Sequence, residues 1–277
     1  VSRPRMTEGL GDFDVTAVTL IGGGKMGEAL LAGLVDAGHS VVVCEADELR
    51  AASLRKKYSV STGDVRNAAA NADVVIIAVK PAMVRDVVSE IADVLAPSSL
   101  VISVAAGITT ATIEAGLAPG APVVRAMPNT PALVGQGMTV VSAGRSCTPD
   151  QLAEASELLA SVGEVASVPE SDQDAVTALS GSGPAYLFFV VEAMIDAGTA
   201  IGLDPAIARE LAVQTVYGAA SMLRETGEDP ADLRSNVTSA GGTTAAAIAE
   251  LEAHAVRTAF AAALTAARVR SAELSAE

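Results

Sequence analysis

A glycine-rich turn between a strand-like run and a helical pattern, at residues 15–38, constrains the fold of this chain more than any other stretch. Gly22, Gly24 and Gly27 fit the pattern G-x-G-x-x-G. The first glycine permits a tight turn, the second lets the backbone approach a pyrophosphate, and the third lets the helix lie close to the strand. The order strand, turn, helix predicts a dinucleotide site, with a purely structural glycine turn as the alternative.

Strand-like runs and helical patterns alternate from residue 15 to residue 169, which predicts an α/β, Rossmann-type, doubly wound sheet in a dinucleotide-binding domain. The apolar run at 72–79 is typical of a parallel strand covered on both faces. From residue 170 to 277 the β-branched runs end and alanine-rich helical patterns follow, so we expect an all-helical second domain. Residues 1–14 are predicted to be a flexible N-terminus.

The charge balance and the scarcity of aromatic residues exclude several classes of partner. A net charge of −15 argues against binding to nucleic acid or to an anionic membrane, and an aromatic content of 3% leaves few platforms for base stacking. The longest apolar stretches are too short or carry an internal charge, and the first residues lack the apolar core of a signal peptide. We therefore expect a cytoplasmic protein that does not span a membrane.

The two histidines and two cysteines show no metal-ligand spacing, so no metal site is expected. Whatever chemistry the chain performs must come largely from a bound molecule.

Four loops are expected at the carboxyl ends of neighbouring strands, where open α/β sheets bind their ligands. Among their residues, Glu45 stands where an acidic side chain contacts the adenosine ribose, which leans mildly toward NADH over NADPH. Arg50 and the basic cluster at 55–57 offset that lean, so either cofactor is expected. Lys80 is the cation at a strand end. It is interpreted either as a contact for an anionic group of the cofactor or substrate, or as a solvated side chain without a function. The candidate cofactor residues in these loops are Gly22, Gly24, Lys25, Met26, Gly27, Glu45, Ala46, Ala78, Val79, Lys80, Pro81, Ala105, Ala106 and Gly107.

A glycine pair followed by two threonines, at 241–244, precedes an alanine-rich helix in the second domain. Free N–H groups at such a helix start would cradle a carboxylate. An ordinary N-cap by Thr243 or Thr244 explains the hydroxyl groups equally well.

Five motifs together resemble the Δ1-pyrroline-5-carboxylate reductase family, in order and spacing, over about residues 16–274. They are AVKP at 78–81, VAAGI at 104–108, RAMPNTP at 125–131, GSGPAY at 181–186 and GGTT at 241–244.

The resemblance implies hydride transfer from NAD(P)H to C5 of a cyclic imine, the last step of proline biosynthesis. It implies that 105–107 lies near the nicotinamide half of the cofactor and that Asn236 contacts cofactor and substrate. It further implies that Glu170 lies beside the substrate and that Gly242, Thr243 and Thr244 hold its carboxylate and ring nitrogen. Thr244 is the implied catalytic partner of the imine nitrogen. The resemblance also implies a homodimer through the helical domain, with sites that use both chains, and assembly to a decamer.

Two departures from the family pattern bear on these expectations. Ala240 replaces a proline found in many relatives, and Glu45 stands where NADPH-preferring relatives often carry small or hydroxyl residues.

A β-hydroxyacid or imine dehydrogenase is a competing interpretation, although the pattern at 184–201 lacks the lysine on which the hydroxyacid enzymes depend. A nucleotide-sensing protein without turnover is a second competing interpretation. The predicted anion cradle at 241–244 argues against it, because a sensor has no evident need for a second anion site.

Overall fold

The computed structural model of the chain describes residues 15–276 and divides into two units. The larger unit contains the described residues up to Gly181 together with those from Ser271 onward, and the smaller unit is Ser182–Arg270. The N-terminus predicted to be flexible, 1–14, lies outside the described residues.

The larger unit contains an eight-stranded sheet in the order β3-β2-β1-β4-β5-β6-β7-β8. Neighbouring strands are parallel except for β6 and β7. Starting from β1, the chain winds outward in one direction and then in the other, so the doubly wound sheet is confirmed. The strands are β1 Ala17–Ile21, β2 Ser40–Cys44, β3 Ser61–Thr62, β4 Val74–Ile77, β5 Leu100–Ser103, β6 Val123–Met127, β7 Gly137–Ala143 and β8 Gly163–Ser167.

Helices cover both faces of the sheet, and side chains from the central strands enter both apolar cores. In β4, Val74 and Ile76 pack into one core while Val75 and Ile77 pack into the other. This alternation explains why the strand is apolar at consecutive positions. The helices of this unit are α1 Lys25–Asp36, α2 Glu48–Tyr58, α3 Val65–Ala69, α4 Val84–Ile91, α5 Thr110–Glu114, α6 Pro149–Ala160 and α7 Gln173–Val176.

The antiparallel direction of β7 is a feature that the strand pattern did not predict. Residues 128–136 connect it to β6 and contain a 3₁₀ turn, Thr130–Val134. A parallel neighbour needs a crossover of a dozen residues or more, usually with a helix. Because this connection is shorter, the chain turns back on itself at the sheet.

Cys44 ends β2 as a buried free cysteine. Burial raises the pKa of its thiol to about 12. The Cys44 carbonyl oxygen accepts a hydrogen bond from the Gly22 N–H at 2.8 Å, so the residue lies directly beside the glycine-rich turn.

The smaller unit consists of helices that bury few of their apolar side chains. Among its described residues, only Ala208 and Ala212 are buried. Phe188 and Phe189 are 63% and 70% exposed, and many other large apolar side chains are exposed with them. The helices are α8 Gly183–Ala200, α9 Pro205–Thr226, α10 Pro230–Asn236, α11 Thr243–Ala253 and the greater part of α12 Val256–Ala276.

One helical stretch in the described chain, Glu170–Ala200, is long and apolar enough to cross a membrane by length and composition. Only 6% of its most apolar window is buried. A bilayer and the apolar face of a second protein chain would both suit such a surface.

Candidate active site

The glycine-rich turn after β1 is built from glycines with two different functions. A Cβ atom at Gly22, where φ is +103°, would lie 2.6 Å from the Ala78 carbonyl oxygen, and one at Gly27 would overlap the Gly22 carbonyl oxygen. At Gly24 nothing lies within 4 Å of such an atom. Gly22 and Gly27 are therefore required by packing within the protein, whereas Gly24 borders open space.

That open space faces the start of α1. Gly24 is the N-cap of this 12-residue helix, and no side chain caps it. The first N–H groups of a helix have no partners within the helix and lie at the positive end of its dipole. This arrangement suits the pyrophosphate of a dinucleotide.

The four predicted loops lie along one edge of the sheet, because β2, β1, β4 and β5 are neighbours in that order. Hydrogen bonds connect the loops to adjacent strands, from the Ala78 N–H to the Ile21 carbonyl at 2.8 Å and from the Val104 N–H to the Ile77 carbonyl at 3.0 Å. Exposed residues on this edge are Gly24, Lys25, Ala46, Lys80, Pro81 and Ala106. Partly buried or buried ones are Gly22, Met26, Gly27, Glu45, Ala78, Val79, Ala105 and Gly107.

Gly23, between the motif glycines, is held on both sides of its backbone. Its N–H donates to Glu45 Oε2 at 2.8 Å, and its carbonyl oxygen accepts from Arg50 Nε at 2.8 Å. Glu45 Oε1 accepts from the Asp47 N–H at 2.9 Å. Glu45 therefore fixes the shape of the glycine-rich turn, in addition to lying where the ribose is expected.

Glu28, in the first turn of α1, completes this arrangement with three partners. Its carboxylate accepts from Lys57 Nζ at 2.8 Å, from the Tyr58 hydroxyl at 2.9 Å and from Arg50 Nη2. The hydrogen bonds from Lys57 and Arg50 lower the pKa of Glu28 from 4.5 to about 2. The cluster anchors Arg50, and through it Gly23, to α1.

Replacing Glu28 by glutamine is expected to remove a pH-dependent part of the stability. A carboxylate with a pKa lowered on folding stabilises the folded chain above its unfolded value, and the contribution is lost as the pH falls. The free energy of unfolding of the wild type should exceed that of Glu28→Gln at pH 7, and the difference should shrink between about pH 4.5 and pH 2. Denaturant titrations at several pH values measure it, with exposed Glu48→Gln as a control. A difference that is constant with pH would contradict this role.

Glu170 binds Thr110 with both of its carboxylate oxygens. Oε1 accepts from the Thr110 N–H at 2.7 Å, and Oε2 accepts from the Thr110 hydroxyl at 2.6 Å. Arg125 Nη1 lies 3.4 Å from Oε1, and its side chain is 5% exposed. Glu170 was predicted from the resemblance, whereas Thr110 and Arg125 were not. The charged Arg125 in an apolar strand, VVRAM, was the available signal.

The start of α11 bears on one of the two explanations left open for its threonines. Gly242 is the N-cap and no side chain caps the helix, so the N-cap interpretation of Thr243 and Thr244 is wrong. A Cβ atom at Gly242 would lie 2.6 Å from Ser239 Oγ and 3.2 Å from the Ser239 carbonyl oxygen, so a larger residue here would have to displace the Ser239 side chain. Thr243 and Thr244 therefore offer first-turn N–H groups, and Thr244 is partly buried. Asn236, the last residue of α10, is exposed in the same unit.

Two further features of residues 15–276 bear on ligand binding. No group of three or more histidine, cysteine, aspartate or glutamate side chains could hold a metal ion there. A cavity of about 280 Å³ lies beside β1, β2 and α3, where Ser40, Asp64, Asn67 and Asn71 contribute to its lining. None of the residues that line it is a candidate site residue.

Comparison with known proteins establishes the family. Residues 170–274 match the model for pyrroline-5-carboxylate reductase dimerisation, and residues 17–107 match the model for NADP oxidoreductase, coenzyme F420-dependent. A pyrroline-5-carboxylate reductase from Corynebacterium melassecola is 48% identical over 267 residues, which cover 94% of this chain and 99% of the relative. The chain belongs to the pyrroline-5-carboxylate reductase family.

Solved pyrroline-5-carboxylate reductases share the fold. The structure from Coxiella burnetii is 41% identical, with a TM-score of 0.90 over 95% of this chain and 99% of that one. The Plasmodium falciparum structure, solved with NADP bound, is 27% identical, with a TM-score of 0.83 over 94% and 98%. The family, the fold and the NAD(P)H-dependent oxidoreductase class predicted from the motifs are confirmed by these matches.

Two residues at the sheet edge, Gly23 and Arg50, were not among the candidate site residues that the motifs of the pyrroline-5-carboxylate reductase family indicated. Gly23 is a variable position of the G-x-G-x-x-G motif, and the sequence indicates only an electrostatic effect for Arg50. A Cβ atom at Gly23 would lie 2.5 Å from Leu54 Cδ1 and 3.0 Å from Glu45 Oε2, so a larger residue here would have to displace these side chains. The three consecutive glycines were the signal for this close packing.

Proposed function

We propose that this chain reduces Δ1-pyrroline-5-carboxylate to L-proline with NAD(P)H. Bound NAD(P)H would supply a hydride to C5 of the protonated imine, and the electrons of the C=N double bond would return to nitrogen, which gives the secondary amine of proline and NAD(P)+. The observation that supports this most strongly is the near full-length match to pyrroline-5-carboxylate reductases, at 48% identity in one relative. The reaction is the last step of proline biosynthesis, and we place it in the cytoplasm.

The cofactor is proposed to lie along the sheet edge. The pyrophosphate rests on the N–H groups at the start of α1, with Gly22, Gly24, Lys25, Met26 and Gly27 around it. The ribose side is bordered by Glu45 and Ala46, and Ala78–Pro81 borders the middle of the molecule, where exposed Lys80 offers a positive charge. The loop 105–107 lies on the nicotinamide side, and Asn236 is a further cofactor contact.

The substrate is proposed to bind at the start of α11. The N–H groups of Thr243 and Thr244, next to Gly242, are donors for the carboxylate, since no side chain caps this helix. The Thr244 hydroxyl is the proposed partner of the imine nitrogen. Asn236 and Glu170 are the remaining proposed contributors to this part of the site.

Cofactor preference is proposed to favour NADH slightly. The Glu45 carboxylate lies at the end of β2, where it would repel the 2′-phosphate of NADPH. Arg50 does not neutralise it directly, because its guanidinium binds Gly23 and Glu28.

Glu45→Ser is expected to raise the ratio of kcat/KM for NADPH to that for NADH by about tenfold, roughly 1.4 kcal/mol. The ratio is the informative quantity, because loss of the Glu45 bond to the Gly23 N–H loosens the turn for both cofactors alike. Steady-state assays with each cofactor measure it. Glu48→Ser removes the same charge from an exposed neighbouring position and should leave the ratio unchanged. An unaltered ratio in Glu45→Ser would exclude this role.

A homodimer formed through the helical unit is proposed to cover its exposed apolar side chains, and decamers of such dimers are the proposed assembly. The dimerisation model matches residues 170–274, which include Phe188 and Phe189. The same contact accounts for the apolar stretch Glu170–Ala200 without a membrane. Sedimentation velocity in detergent-free buffer measures the assembly.

Oxidation of NADH and of NADPH in the presence of Δ1-pyrroline-5-carboxylate tests the proposed reaction. Proline formation with either cofactor is the expected result. Folded protein that binds the dinucleotide but turns over a β-hydroxyacid would support the dehydrogenase interpretation. Dinucleotide binding with no turnover of either substrate would support a nucleotide sensor.

A further inference from the structure

A row of buried polar side chains crosses three strands of the otherwise apolar sheet. Arg125 on β6 is paired in register with Ser103 on β5 and with Ser142 on β7. These residues are 4%, 0% and 0% exposed. Because buried polar groups are costly unless they are hydrogen-bonded, a row of this kind calls for a specific role.

Hydrogen bonds to Ser103 and to Glu170 hold the chain at the start of the loop 105–107 and just beyond its end. At the first end, the Ala105 N–H donates to Ser103 Oγ at 3.3 Å. At the other end, Thr110 is fixed through its N–H and its hydroxyl by Glu170, beside Arg125. The loop is therefore flanked by two sets of hydrogen bonds, one to Ser103 of the polar row and one to Glu170, which lies beside Arg125 of that row.

The hydrogen bonds of Glu170 to Thr110 are shorter than its contact with the buried Arg125. Its contact with Arg125 is long, at 3.4 Å, whereas its two bonds to Thr110 are 2.7 and 2.6 Å. Arg125 Nη2 has no hydrogen-bond partner within the described chain, so the arginine is not optimally paired either. The geometry favours Thr110, at the start of α5, as the group that Glu170 is there to place.

We propose that Glu170, supported by Arg125, is a positioning residue that acts through Thr110 to fix the 105–107 loop against the nicotinamide ring of the cofactor. This inference rests on the proposed function for the placement of the nicotinamide. A fixed loop restricts the ring to one orientation, and correct orientation of reacting groups contributes strongly to rate.

The test compares NADH with ADP-ribose, which lacks the nicotinamide ring, by calorimetric titration of the full chain. Thr110→Val removes the hydroxyl that Glu170 binds, and we expect NADH to bind about tenfold more weakly while ADP-ribose binding is unchanged. Thr110→Ser restores the hydroxyl and should restore the wild-type ratio of affinities. Glu170→Gln, which keeps the size of the side chain, should resemble Thr110→Val.

Thr148→Val is the matched control for stability. The Thr148 hydroxyl accepts from the Gln151 N–H at the start of α6, so its loss weakens a helix cap away from the loop. It should leave the ratio of the two affinities unaltered. Equal weakening of NADH and ADP-ribose by Thr110→Val, no weakening of either, or failure of Thr110→Ser to rescue would overturn the proposal.

This experiment also separates the proposal from the proposed reaction, because it requires no imine. Wild-type chain that binds NADH no more tightly than ADP-ribose but forms proline would overturn the positioning role alone. Wild-type chain that shows the expected affinities but forms no proline would overturn the reaction alone.

Discussion

Gly27→Ala is expected to destabilise the folded chain and to abolish dinucleotide binding. The added Cβ atom would overlap the Gly22 carbonyl oxygen, which belongs to the backbone and has little freedom to move. Overpacking of this kind costs about 1–3 kcal/mol even where flexible side chains adjust, and the backbone here leaves less room for adjustment. Thermal unfolding of the free chain, followed by titration with NADH, measures both effects.

Gly24→Ala provides the comparison, because its effect should be confined to binding. Nothing lies within 4 Å of a Cβ atom at Gly24, and its φ of −63° is available to alanine. The free chain should therefore unfold at the wild-type temperature. NADH should bind at least about tenfold more weakly, since the methyl group would occupy the approach to the pyrophosphate. Wild-type affinity in Gly24→Ala would show that the cofactor does not approach this position.

Thr244→Ala is expected to lower kcat/KM for the imine by roughly 10- to 100-fold, on the order of 1.4–2.7 kcal/mol. The proposed reason is that the hydroxyl orients the imine for hydride transfer, so its loss should act on the chemical step and leave the affinity for NADH nearly unchanged. Steady-state kinetics and NADH titration together measure the two quantities.

Thr244→Ser keeps the hydroxyl and is the matched control for this experiment. It should retain most of the wild-type kcat/KM, because the helix start and its N–H groups are the same in both variants. Unaltered kinetics in Thr244→Ala, or an equal loss in Thr244→Ser, would exclude the hydroxyl as the orienting group.

The sequence predicts the fold well where local patterns and the global structure demand the same residues. Gly22 and Gly27 are dictated by contacts within one strand-turn-helix unit, and the apolar run of β4 by burial on both faces of the sheet. Such constraints act over short stretches and leave a visible pattern. The strand pattern of β7 carries no sign of its direction, and the signal that was available is the connection 128–136, which is too short for a parallel crossover.

The hydrogen bonds that hold the loops of the candidate site could not be predicted, because they join residues that are far apart in sequence. Glu170 and Thr110 are separated by 60 residues, and Gly23 and Arg50 by 27. Charges of this kind look like ordinary surface residues until the chain is folded. The resemblance to a family identified Glu170 without revealing which group it binds.

The free thiol of Cys44 makes the end of β2 observable by alkylation, without any substitution. A thiol reagent attacks the thiolate, and a buried group with a pKa of about 12 supplies almost none at neutral pH. Modification of Cys44 therefore requires the end of β2 to open, and the rate of alkylation measures how often it opens. Because its carbonyl oxygen is bonded to the Gly22 N–H, the same rate records how often the neighbouring turn comes apart and how far a bound dinucleotide slows it.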